Sequence, residues 1–286
     1  MNSQKQHPKI FSCEFFPPYS PEGLDKWRRT RLELEKLKPA FFSVTYGAGG
    51  TTRERTTEIV QEIQQESEVE AAPHLTCVGS TQENIHVLLD NYRNHGISRI
   101  VALRGDMPSG MRDPGEFRHA NELVAIIRAA TGDHFHIEVA AYPEFHPQAA
   151  SVEQDLAHFQ HKIEAGADSA ITQYFYNADA YFRFIDSCER LGIDIPVVPG
   201  VMPITNFKQL ARFSDSCGAE IPRWIRKRLE SFSDDLESLR AFGLDVVTEM
   251  CHHLLEQGAP GLHFYTMNQF RLTTAIWDRL GLPKKV

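Results

Sequence analysis

Phe11-Ser-Cys-Glu-Phe-Phe-Pro-Pro18 is an apolar, aromatic run that carries one carboxylate, Glu14, and ends in two prolines. It reads as a buried strand, and the residues after it decide between the two large α/β architectures. A doubly wound dinucleotide fold places G-x-G-x-x-G directly after its first strand. Here the strand runs into Phe16-Pro17-Pro18-Tyr19, and no later strand-like run is followed by that pattern, which favours a closed (β/α)8 barrel. Glu14 is costly among aromatics: an ionised carboxylate there either finds a partner or takes up a proton. A carboxyl that keeps its proton near neutrality is what a general acid requires. The other reading is a Glu that satisfies a backbone N–H or an Arg at a strand end.

Outward from this run, short β-branched or aromatic segments recur at 41–46, 71–77, 99–106, 136–142, 169–176, 195–201 and 261–266, which with 10–16 makes eight. Eight strands with helical stretches between them match the number that closes a barrel, and their alternation implies parallel pairing through crossover helices. The clearest helix covers 152–165, where Val152, Leu156, Phe159 and Ile163 fall on one narrow stripe and Gly166 stands at the C-cap. The length of 286 residues is close to the roughly 250 typical of such barrels. One barrel domain over 1–286 is therefore expected, with residues 1–8 as a polar N-terminal tail.

Composition narrows the function classes. With 42% hydrophobic and 24% charged residues the chain has an ordinary globular make-up, neither disordered nor membrane-like. No apolar run approaches the ~20 residues that span a bilayer, and the start lacks the apolar stretch of a signal peptide, so a cytoplasmic location is expected. Five scattered cysteines without a Cys-x-x-Cys pair read as reduced thiols. A net charge of −8 argues against a nucleic-acid partner. The one basic cluster, Arg223, Arg226, Lys227 and Arg228, is followed by Glu230, Asp234, Asp235 and Glu237, a self-neutralised helix face. His134, His136 and Glu138 alternate along a strand but stand at its start, away from the chemical end of a barrel, so no metal is expected.

The ends of the strand-like runs are polar: Glu14, Thr45 and Tyr46, His74 and Thr76, Arg104-Gly-Asp106, Tyr142, Glu144 and His146, Gln173 and Tyr174, His263 and Tyr265. Barrel enzymes carry their chemistry at that rim, so a ligand pocket is expected there. Arg104-Gly-Asp106 reads either as an internal ion pair or as a glycine that admits a planar ring, with Asp106 acting on its charge. Asp155, His158 and Lys162 line up on one helix as a solvated face or as a hold for the phosphates and hydroxyls of a long cofactor. The loop Gly47-Ala-Gly-Gly-Thr51 matches neither phosphate-binding fingerprint.

Eight segments in order resemble the bacterial methylenetetrahydrofolate reductase family: Glu14-Phe-Phe-Pro-Pro18, Ser43-Val-Thr-Tyr-Gly-Ala48, Ala71-Ala-Pro-His-Leu-Thr-Cys77, Val101-Ala-Leu-Arg-Gly-Asp106, Ala140-Ala-Tyr-Pro-Glu144 with His146-Pro147, Ile171-Thr-Gln173, Asn206-Phe-Lys-Gln209 and His263-Phe-Tyr-Thr266. The resemblance implies a barrel that binds FAD and passes hydride from NADH or NADPH, through the flavin, to 5,10-methylenetetrahydrofolate. Both substrates would take turns in one pocket, a ping-pong pattern. By position Glu14 is the general acid that opens the folate ring, and Asp106 is the aspartate beside flavin and folate.

The same resemblance gives a cofactor set of Thr45, His74, Leu103, Arg104, Gly105, Asp106, Ala120, Tyr142, His146, Asp155, His158, His161 and Lys162. It gives substrate contacts at Glu14, Gln173, Gln209, Phe213 and Gln269. His158 and His161 stand where Asn and Arg are common, His119 where Tyr is common, and Gln269 where an Arg is frequent. The hold on FAD would then be more sensitive to pH, and a cationic contact to the folate's glutamate tail is missing. A homo-oligomer is implied, and with the chain stopping at Val286, control through an appended regulatory domain is not expected. Two other readings stand beside this one. A cofactor-free lyase or aldolase would want a Schiff-base Lys at a strand end, and none is there. A flavin- or folate-binding storage or sensor module would use the rim for binding alone.

Overall fold

In the computed structural model, residues 1–46, 53–107, 110 and 113–284 are described. The strands are β1 Ile10–Phe15, β2 Phe41–Val44, β3 Glu70–Thr76, β4 Arg99–Leu103, β5 His136–Ala141, β6 Ser169–Thr172, β7 Val197–Val198, β8 Gly200–Val201 and β9 Gly261–Tyr265. All neighbours pair parallel, in the order β7-β6-β5-β4-β3-β2-β1-β9-β8. The two ends of that order, β7 and β8, are one stretch of chain interrupted at Pro199, which has no N–H to continue a ladder. Gly200 N–H turns to the Thr172 hydroxyl on one side at 2.9 Å, and Pro199 C=O accepts from His263 N–H on the other at 2.9 Å. The ring thus closes through the broken strand, and the expected α/β barrel is the fold.

Between the strands run α1 Asn2–Lys5, α2 Pro21–Glu35, α3 Arg53–Glu66, α4 Gln82–Asn94, α5 Ala120–Thr131, α6 Val152–Glu164, α7 Ala178–Arg190, α8 Phe207–Cys217, α9 Arg223–Ser231, α10 Leu236–Gln257 and α11 Arg271–Arg279. Their starts are written in the sequence: the side chains of Ser20, Thr81, Ser151, Asn177, Asn206 and Asp235 each accept a backbone N–H of the following turn. No helix among the described residues is long and apolar enough to cross a membrane. All five cysteines are free.

The two-residue period of the strands sorts their side chains. Outward-facing Cys13, Phe15, Phe42, Val44, Leu75 and Ile137 pack with helix residues such as Trp27, Leu34, Ile59 and Ile127 into the main core. Phe41, Ala72, Val101 and Ile171 form a smaller cluster inside the ring. Below it lies a charged plug. The guanidinium of Arg99 bonds Glu138 at 2.6 Å and Glu70 at 3.1 Å and stacks 4.6 Å over Phe41, while Ser169 links Glu138 to His136. Burial pushes the Glu138 carboxyl up, but His136, Arg99 and Ser169 outweigh it and hold it below the usual range. His134 is tied to Ile97 C=O, so the histidines at this end are engaged structurally. No metal-binding cluster occurs among the described residues.

Several boundaries differ from the sequence expectation. β4 ends at Leu103 and β6 at Thr172, so Arg104–Asp106 and Gln173–Tyr176 stand on loops rather than strands. Gly105, with φ +84°, is what turns the chain off the sheet. Val152 is 56% exposed: it opens α6 above the edge of the sheet, and the stripe that packs is Leu156, Phe159 and Ile163. Gly166 takes φ +113° just past the Ala165 cap of the same helix. Within the polar first eight residues, α1 places Gln4 under β7, where its amide donates to Ile195 C=O and accepts from Val197 N–H. The Gly47–Thr51 loop lies outside the described residues.

Candidate active site

Beyond the ends of β4 and β5, a cavity of about 300 Å³ is lined by Leu103, Arg104, Gly105, Asp106, Ala120, Tyr142, His146, Asp155, His158 and Lys162, with His119, Asn121 and Gln148 among the rest. Ten of the residues the family resemblance assigns to the cofactor meet here. Gly105 is confined by its surroundings as well as its dihedral, since a Cβ on it would lie 2.8 Å from that of Thr76. Arg104 does not pair with Asp106. It binds Gln148 at 2.6 Å and Gly105 C=O at 3.2 Å, leaving Asp106 exposed at the lip.

The far wall of this cavity carries one ammonium, one carboxylate and a group of imidazoles. Lys162 Nζ donates to Ala140 C=O at 2.6 Å and has no carboxylate within ion-pair distance among the described residues. Burial lowers its ammonium to about 8, with Asp155 opposing the shift. Asp155 is held by His146 N–H at 2.9 Å. The rings of His119 and His158 stack at 5.5 Å, and burial, then His119, lowers His158. Tyr142 stands edge-on to His146 at 4.6 Å, its phenol pushed up to about 12 by burial and by Asp106 and Asp155.

Leu103, Ala140 and Tyr142 also line a second chamber of about 180 Å³ that reaches into the ring. Its other walls include Glu14, His74, Gln173, His263 and Tyr265. The nearest polar neighbours of the Glu14 carboxyl are neither a backbone N–H nor an Arg but two imidazoles: its Oε2 lies 3.4 Å from His74 Nε2 and 3.8 Å from His263 Nε2. Burial holds the His74 imidazole down at about 4 against the pull of Glu14, so it is neutral at physiological pH. Tyr265 roofs His263 at 5.2 Å, its hydroxyl donating to Thr172 C=O.

The remaining residues expected from the sequence lie apart from both chambers. Thr45 sits at the end of β2, its N–H donating to Phe15 C=O and its C=O accepting from Thr56. Gln209 and Phe213 lie one turn apart on α8, with Phe213 38% exposed. Gln269 is exposed after β9, and His161 is exposed, touching the cluster only through the His158 ring at 6.3 Å. Sequence reasoning gives no role to Ser12 and only a rim position to His263, although the alternation Ser12, Glu14 on β1 carries the signal for the first. Nothing in the sequence singles out Asn121 or Gln148. Asn268 is another residue that only the fold reveals: with φ +52° it clamps Phe16, accepting from its N–H and donating to its C=O.

Comparison with known proteins gives the chain a family. The family model described as methylenetetrahydrofolate reductase matches residues 1–281. The 5,10-methylenetetrahydrofolate reductase of Escherichia coli (strain K12) is 40% identical over 271 residues, which is 95% of this chain and 90% of that one. Methylenetetrahydrofolate reductase (NADH) 1 of Arabidopsis thaliana is 38% identical over 291 residues, covering 97% of this chain and 49% of the plant protein. Among solved structures, an uncharacterised Clostridium thermocellum protein that binds two copies of 5-methyl-5,6,7,8-tetrahydrofolic acid shares the fold, with a TM-score of 0.66 at 15% identity over 98% of this chain and 96% of that one. With residues 1–281 matched by the family model and 40% identity to a relative over 95% of its length, the chain belongs to the methylenetetrahydrofolate reductase family.

Proposed function

We propose that the protein reduces 5,10-methylenetetrahydrofolate to 5-methyltetrahydrofolate, drawing electrons from NADH or NADPH through bound FAD. The observation that carries this reading is the adjacency of the two chambers, which share Leu103, Ala140 and Tyr142 as lining and so set the half-buried Glu14 carboxyl next to the cleft that holds Arg104 and Lys162. The cleft fits a flavin dinucleotide. A buried ammonium without a carboxylate partner, Lys162, suits a diphosphate, and Gly105, which no side chain could replace, lets a flat ring lie against the backbone. When bound, FAD would supply a reversible two-electron carrier.

The chain's own groups then have distinct tasks. Lys162, Asp155 and His158 hold the diphosphate and ribityl end, and Arg104, Gly105 and Asp106 frame the ring end. Glu14 delivers its proton to the folate nitrogen that leaves as the five-membered ring opens. Asp106 favours the cation that opening creates. Gln173, on the wall of the inner chamber, orients whichever substrate is present. One chamber next to one cleft supports alternate occupation, hence ping-pong kinetics. The test is anaerobic: protein loaded with FAD should lose its yellow colour on mixing with NADH or NADPH and regain it on adding methylenetetrahydrofolate. Folded protein that takes up no FAD would overturn the reading.

A further inference from the structure

Barrel interiors are ordinarily filled by branched apolar side chains, yet around the inner chamber stand His74 and His263, with Ser12 bonded behind the second, exposed by 7%, 0% and 1%. Burying polar groups is costly unless each finds a partner. The Nε2 atoms of both imidazoles have no hydrogen-bond partner, and both point at the same carboxylate oxygen of Glu14.

Proton placement separates the two rings. His263 Nδ1 lies 2.7 Å from the Ser12 hydroxyl, which has no other partner among the described residues. Were Ser12 to accept from Nδ1–H, its own hydrogen would be buried without an acceptor. Ser12 therefore donates, Nδ1 is unprotonated, and the single proton of a neutral His263 sits on Nε2, facing Glu14. His263 is a donor, suited to an ionised carboxylate. His74, the nearer ring, can accept from the carboxyl when it is protonated. The other titratable groups around Glu14 are Tyr265 from β9 and Tyr142 from the loop after β5, both phenols pushed up by burial and hence neutral. Val101, Leu103, Ile171 and Gln173, from β4, β6 and its following loop, bring no charge, and no Lys or Arg lines this chamber.

We propose that His263, fixed in its tautomer by Ser12, is a positioning residue for Glu14: its Nε2–H holds the carboxylate left when Glu14 releases its proton and so sets the pH at which Glu14 is proton-loaded. The assignment rests on reading Glu14 as the proton donor, and its test separates the two. Infrared difference spectra of the protein without added flavin, recorded against pH, follow the protonated carboxyl band that Glu14→Gln removes. His263→Leu should raise the midpoint of that band by roughly one pH unit, a tenfold change in the ionisation constant. Ser12→Ala, a milder change that removes one hydroxyl, should raise it by less. His263→Gln, which returns an N–H donor to the same end of the side chain, should bring it back towards the native value. The alkaline limb of the folate half-reaction should move with the band. An unmoved midpoint in both His263→Leu and Ser12→Ala overturns the proposal, as does an equal shift in His263→Gln. A midpoint that moves while the alkaline limb stays supports the positioning role and removes Glu14 from the donor's part in the reaction.

Discussion

At Glu14 the chemistry narrows to one proton. A positioned general acid contributes about 10²- to 10⁴-fold, so Glu14→Gln should slow folate reduction by at least about 10²-fold while flavin bleaching by nicotinamide continues. Stopped-flow absorbance of the two half-reactions measures this, and equal losses in both would remove the acid role. Lys162 offers a second test with a definite sign. Its ammonium is already charged below pH 8 and loses its proton above it, whereas a diphosphate favours the charged form. FAD affinity should thus be level with respect to this group below about pH 8 and fall above it, by up to tenfold per pH unit. Lys162→Met should bind FAD roughly tenfold to a hundredfold more weakly and lose that alkaline fall. Titration of apoprotein by flavin fluorescence reads both.

Among the elements, the broken strand is the tightest joint. A Cβ on Gly200 would collide with Thr172 C=O and stand 2.6 Å from the Tyr265 ring. Gly200→Ala must then push Gly200 away from Thr172 at the end of β6, or displace the tyrosine that roofs His263. It should cost about 3 kcal/mol or more, visible as a lowered unfolding midpoint in urea. This joint also shows where sequence reading stops. Ile195–Val201 is recognisable as a strand because its valines and isoleucine match the β pattern. That it pairs on opposite sides before and after Pro199 is not, because pairing depends on partners far upstream in β6 and far downstream in β9. Strand ends read too long from sequence for a similar reason. Arg104-Gly-Asp106 continues the polar rim in sequence, but the backbone leaves the ladder where Gly105 takes a positive φ. The cavity beyond β4 and β5 is more legible, since strand ends and the first turns of α5 and α6 face one mouth in any such barrel. Gln209, Phe213 and Gln269 are not placed by that rule, and they fall outside the chambers.

For the molecule as a whole, burying a neutral histidine ties stability to acidity. His74 is held at about 4, against 6.5 for an ordinary imidazole. Between those values the unfolded chain binds the extra proton, so this contribution is fully present above pH 6.5 and is lost as pH falls towards 4, by roughly 3 kcal/mol. His74→Leu should flatten that acid decline in urea-unfolding curves taken between about pH 7 and 4.5. An unchanged slope would place the acid sensitivity elsewhere.

Closing the ring through a two-part strand has a price in biosynthesis. Until Gly261–Tyr265 has been made, β1 has no neighbour on one side and β8 none at all on its outer edge. Such bare edges are templates for pairing with other chains. Ribosome products that terminate before residue 261 should accumulate as insoluble clumps rather than as smaller folded proteins, and expression hosts that translate the last quarter slowly should yield less native material.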